Sequence, residues 1–168
     1  DQANFIFAMH APLFSSPSFS ALEVLNAYLA EGMSSRLFLE IREKRGLAYT
    51  VKGALNAEKN YSYYSIYAGT TKEAVPEVEK IMIEEFKNIK KMTEKELTEA
   101  KEQLIGLRKL ESEESTNVMN TLMFHELNEG AEDYYNFEKK INKVSISEVK
   151  QLAINLIKNY STAAIVPR

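Results

Sequence analysis

The chain has 168 residues, 45% of them apolar and 27% charged, with 21 basic against 24 acidic side chains. That length fills one domain with a core able to fold without staples, and a pI near 5.6 argues against a nucleic-acid or anionic-membrane surface. The lack of cysteine excludes disulfides, a thiolate nucleophile and thiolate zinc ligation, and no apolar run approaches the roughly 18 residues of a membrane span.

The chain opens on Asp1 and moves straight into Ala3-Asn4-Phe5-Ile6-Phe7-Ala8-Met9, a first strand with no signal-peptide pattern before it. A preceding segment is therefore expected, and a soluble, cytoplasmic setting is favoured. His10 to Ser18 holds Pro12, Pro17 and three serines, which is a loop composition. Ser20 with Glu23 has the form of a capping box ahead of Leu22, Leu25 and Leu29, and Gly32 suits the end of that helix. Ser34 is placed to cap a second, short helix carrying Leu37, Phe38 and Ile41, which Gly46 ends. From Leu47 to Leu55 the positions Leu47, Tyr49, Val51 and Leu55 share one face of an extended segment, and Tyr61 to Ala68 is a second β-favouring run. The two read as an antiparallel hairpin.

Capping boxes mark three helix starts in the second half, at Thr70 with Glu73, Thr93 with Glu96, and Ser145 with Glu148. Pro76 fits the opening turn of the first, whose stripe is Val78, Met82, Phe86 and Ile89. Leu97, Ala100, Leu104 and Leu107 form the next stripe, and the polar stretch Glu111 to Ser115 breaks or bends that helix before Met119, Leu122 and Met123 resume it. Tyr134, Phe137 and Ile141 mark a further helix, Val149, Leu152 and Leu156 another, and Ala163 to Val166 supplies a terminal strand before Pro167. Strands first and last with long helices between them do not alternate as in a doubly wound fold. The class expected is α+β, a mostly antiparallel sheet with long helices packed on one face, and residues 1–168 read as a single domain without internal repeat or linker.

Most candidate chemistry dissolves on inspection. His10 and His125 are the only histidines, and neither sits in His-x-x-Glu-His or its reverse, so no zinc site is expected in this chain. His125 and Glu129, one turn apart, read as a helix-surface pair. Ser34 and Ser35 lack a nucleophile elbow, and Lys87, Lys90 and Lys91 sit where cations favour a helix C-terminus. The methionines fall mostly on apolar helix faces and imply no cofactor.

Gly32 to Thr50 resists that treatment. Arg36, Arg42, Lys44 and Arg45 surround one short helix that runs at once into a strand. Arg42 falls beside the Leu37, Phe38 and Ile41 stripe, so its stem can pack while its guanidinium reaches the helix end, and Tyr49 follows the turn at Gly46. Both side chains can converge on one point. The bland reading of the spacing is an Arg42 ion pair with a neighbouring carboxylate and a half-buried Tyr49.

This stretch, Ser-Ser-Arg-Leu-Phe at 34–38 followed by Arg-Glu-Lys-Arg-Gly-Leu-Ala-Tyr at 42–49, resembles the signature of the second, zinc-free domain of the pitrilysin, insulinase and mitochondrial processing peptidase family. The similarity continues through Ile66 to Thr70, Thr93 to Leu97, Ala100-Lys101, Val144 to Glu148 and Val166-Pro167. It implies a zinc-dependent metalloendopeptidase whose N-terminal domain or partner subunit supplies His-x-x-Glu-His, the zinc and the general base, while this chain, inactive alone, closes over a peptide. The two halves would share one polypeptide or meet as a homo- or heterodimer. The resemblance assigns substrate binding and transition-state stabilisation to Arg42 and Tyr49, and no metal ligand to this chain. It also implies an alternative, a non-catalytic assembly or scaffold subunit of the same fold. One departure stands out: where the family commonly has a run of glycines before Ser-Ser-Arg-Leu-Phe, Ala30-Glu31-Gly32 keeps one.

Overall fold

The structure is a computed structural model that describes residues 2–167. Its framework is a sheet of β1 (Ala3–His10), β2 (Ala48–Ala57), β3 (Ser62–Thr70) and β4 (Tyr160–Ile165) in the order β2-β3-β1-β4, every neighbour antiparallel. The helices are α1 (Phe19–Ala30), α2 (Val75–Asn88), α3 (Glu94–Glu111), α4 (Ser115–Asn128), α5 (Phe137–Lys143) and α6 (Ile146–Leu156). The fold is α+β, as the order of elements implied.

Alternation decides which side of the sheet is covered. Ala3, Phe5, Phe7 and Met9 of β1 point into the core with Tyr64, Ile66 and Ala68 of β3, while Asn4, Ile6, His10 and Tyr63 face outward. The inward set meets Leu22, Leu25 and Leu29 of α1, Met82 and Phe86 of α2, and Val149 and Ala153 of α6 in one continuous cluster. Each large side chain taken wholly out of water there contributes about 1.5–3 kcal/mol. Gly53 of β2 lets α1 approach closely, because a Cβ at that position would stand 1.9 Å from Asn26 Oδ1 and 2.9 Å from Ala30 Cβ.

The boxes at Thr93/Glu96 and Ser145/Glu148 form in full and start α3 and α6. Two other expected boxes do not. Helix α1 begins two residues early at Phe19, after Ser18 and without a side-chain cap, so Ser20 and Glu23 lie inside it. Thr70 ends β3 and donates its hydroxyl to the Leu47 carbonyl, and α2 starts later, at Val75, with Pro76 in its opening turn. In both places a short polar side chain was claimed by sheet or helix interior before it could cap. The break between α3 and α4 falls at 112–114, within the polar stretch expected to interrupt that helix. Among the described residues no helix is long and apolar enough to cross a membrane.

Candidate functional site

Residues Phe38–Glu43 form a π-helical turn, wider than the ordinary helix expected there. The Lys44 amide bonds the Leu39 carbonyl five residues back, and the Leu47 amide bonds the Ile41 carbonyl six back. Such turns are uncommon and recur at functional sites. Ser34 does not cap it; its hydroxyl donates to Gln103 of α3, whose amide in turn donates to the Glu31 carbonyl. That bridge ties the 31–34 loop to α3.

Glu40, almost buried, gathers three of the four cations. Its carboxylate lies 2.5 Å from Lys44 Nζ, 2.6 Å from Arg45 Nη1 and 3.8 Å from Arg36. Hydrogen bonds from Lys44 and then Arg45 hold its carboxyl below the usual range. Arg36 is further fixed by Glu85 at 3.0 Å. Arg42 is left over: its nearest carboxylate is Glu43, at 3.8 Å and exposed. Instead its guanidinium carbon lies 4.8 Å from the Phe38 ring centre and 5.3 Å from that of Tyr49.

Tyr49 reaches that position through an irregularity in β2. Ala48 pairs with Thr70 and Thr50 with Gly69, so Tyr49 is an extra residue in the ladder. The expected shared face of Leu47, Tyr49, Val51 and Leu55 is therefore wrong at Tyr49. Val51 is buried and Leu55 partly so, whereas Tyr49 is 78% exposed rather than half-buried. Its hydroxyl has no hydrogen-bond partner among the described residues, and the Arg42 side chain beside it rests on buried Phe38 and is partly exposed.

Here the comparisons with known proteins bear. The family described as peptidase M16 inactive domain matches residues 1–104. This chain belongs to that family. It is 34% identical over 151 residues to an uncharacterized zinc protease of Mycobacterium bovis, which covers 88% of this chain and 34% of the relative. It is also 34% identical over 173 residues to one of Mycobacterium leprae, covering 99% and 38%. The chain thus spans about a third of the length of these curated relatives. A protease from Helicobacter pylori shares the fold, with a TM-score of 0.87 at 20% identity over 99% of this chain and 41% of that one. Among the described residues no three His, Cys, Asp or Glu side chains converge to hold a metal ion, so no step of metal chemistry is built on this chain.

The structure corrects the reading of His125 as a surface residue. It is 6% exposed, edge-on to Phe14, with Nδ1 3.5 Å from Asp133 Oδ2, too long for a hydrogen bond. Burial lowers its pKa, so the ring is neutral at neutral pH and the contact is not an ion pair. Glu129 pairs with Lys140 instead, at 3.4 Å. His125 lines an open cavity of ≈ 610 Å³ between the 14–20 segment, α4 and α5, with Glu23, Arg108, Asp133, Phe137 and Lys140. Desolvation pushes the Glu23 carboxyl up to about 7. Nothing in the spacing announced this cavity, because its walls come from five separate segments.

Proposed function

We propose that residues 1–168 act as the zinc-free, substrate-holding domain of a zinc-dependent metalloendopeptidase, with Arg42 and Tyr49 gripping the scissile peptide. The reading is carried by one observation: the two residues of the matched pattern lie against each other, Tyr49 exposed and Arg42 partly so, with donors not claimed by the fold. Stacking occupies the faces of the Arg42 guanidinium and leaves its in-plane N–H groups free to donate to a peptide carbonyl. The Tyr49 hydroxyl adds a second donor. As charge develops on that carbonyl oxygen, donors already in position stabilise it without reorganising, typically by a factor on the order of 100 or more for each. The metal and the general base would come from a preceding domain or partner subunit bearing His-x-x-Glu-His, which is the chemistry that the resemblance implies.

The test is cleavage of a peptide library by the full-length protein carrying Arg42→Ala or Tyr49→Phe. Depressed cleavage at unchanged zinc content supports the reading. Undiminished cleavage rules it out, and a wild-type protein that binds no zinc and cuts nothing hands the chain to the scaffold alternative.

A further inference from the structure

The ≈ 610 Å³ cavity holds two opposite charges that the fold leaves without partners. Glu23, on the cavity side of α1, has no hydrogen bond or ion pair with any described residue. Arg108, on α3, rests its guanidinium 5.1 Å from the ring centres of both Tyr134 and Phe137, with no carboxylate at ion-pair distance among the described residues. Both side chains also line the adjoining ≈ 380 Å³ cavity. Of the other charges nearby, Lys140 is 2.6 Å from Asp133 and 3.4 Å from Glu129, and Glu148 closes the Ser145 cap, while the exposed Lys143 lines the same wall as a second cation.

A carboxyl and a guanidinium that are partly withdrawn from water, neither hydrogen-bonded nor ion-paired by the fold, are incompletely satisfied where they stand. A ligand that carries both an ammonium and a carboxylate completes each of them. Phe14, Phe19, Phe124 and Phe137 line the same space and supply an apolar wall, and the volume lies in the range of about 300–1,000 Å³ usual for small-molecule sites. We infer that this cavity binds a zwitterionic amino acid or short peptide with an apolar side chain, its ammonium held by Glu23 and its carboxylate by Arg108. The site is separate from Arg42 and Tyr49, since the one β2 residue in its wall is Leu55, far along the strand from the irregularity.

Calorimetric titration of the full-length protein tests this at pH 8, where Glu23 is ionised. The probes are phenylalanine, Leu-Phe, N-acetylphenylalanine and phenethylamine, which lacks the carboxylate and keeps its ammonium at pH 8. Saturable binding of phenylalanine or Leu-Phe is expected, with each singly charged compound weaker than phenylalanine by tenfold or more, as befits loss of a charge-assisted pair. Glu23→Gln should erase the penalty for acetylation, and Arg108→Gln the penalty for lacking the carboxylate, in proteins whose thermal melts show them folded. If neither zwitterion binds, or the singly charged compounds bind equally well, the inference falls. The same titration on the Arg42→Ala protein should be unchanged, so failure of the peptidase reading and failure of this one are told apart.

Discussion

The guanidinium of Arg42 is sandwiched between Phe38, 4.8 Å away, and Tyr49, 5.3 Å away, and takes no close ion pair. Stacking of this kind is worth about 0.5–1 kcal/mol at an exposed site, enough to bias one orientation of a long side chain. Phe38→Leu, nearly volume-conserving, should therefore lower peptide cleavage by the full-length protein about two- to fivefold. Arg42→Lys should not restore what Arg42→Ala loses, because an ammonium neither stacks as a plane nor presents a fork of donors. Rescue by lysine in a peptide-cleavage assay would show that only positive charge matters.

Glu40 binds Lys44 and Arg45 and lies near Arg36. Glu40→Gln should reduce stability by about 1–2 kcal/mol, less than for a fully buried pair because its partners are partly solvated. The folded pKa of Glu40 is depressed, so its contribution is present above the unfolded value and lost as pH falls through the folded one. Urea midpoints of wild type and variant should accordingly converge in acid. A gap that stays constant down to the lowest pH would mean the ion pairs contribute nothing.

Glu23 has the opposite sign. Its carboxyl is raised from 4.5 to about 7 by desolvation, with Arg108 and then Lys140 opposing and Glu31 and Asp133 reinforcing the shift. Ionisation therefore weakens the fold progressively between those two pH values. Glu23→Gln should melt with wild type below pH 4.5 and above it at pH 8, by about 2–4 °C for each kcal/mol gained in a domain of this size. Equal melting temperatures at pH 8 would mean that the carboxyl is well solvated.

At Gly53, an added methyl meets Asn26 and Ala30 of α1. Gly53→Ala should lower stability by about 1–3 kcal/mol as strand and helix are forced apart. Calorimetry decides it: an unchanged melting temperature would show that α1 shifts without strain.

The sequence was most legible where one local interaction settles the matter. The Thr93/Glu96 and Ser145/Glu148 boxes close three residues apart, and both hold even though Tyr28 also donates to Glu96. It was less legible where tertiary partners intervene. Thr70 was drawn into the sheet by the Leu47 carbonyl, and Ser34 was taken by Gln103, 69 residues distant. Period-two counting failed at Tyr49 because one extra residue resets the alternation, a change that no composition signal marks. Arg42 and Tyr49 were singled out by the family resemblance, in a stretch short enough to be read as one motif. Glu23, Arg108 and His125 were not, because only the packing of α1, α3 and α4 brings them to one cavity.

The irregularity in β2 has a consequence for how this protein can change over time. With one residue pushed out of the ladder, Val51 and its neighbours keep the interior intact while the protruding ring answers only to what arrives from outside. Drift or laboratory selection can retune that ring with little disturbance beneath it, whereas deleting Ala48 would bring Tyr49 opposite Thr70, restore regular alternation and turn the ring inward, removing it from the surface while leaving the strand in place.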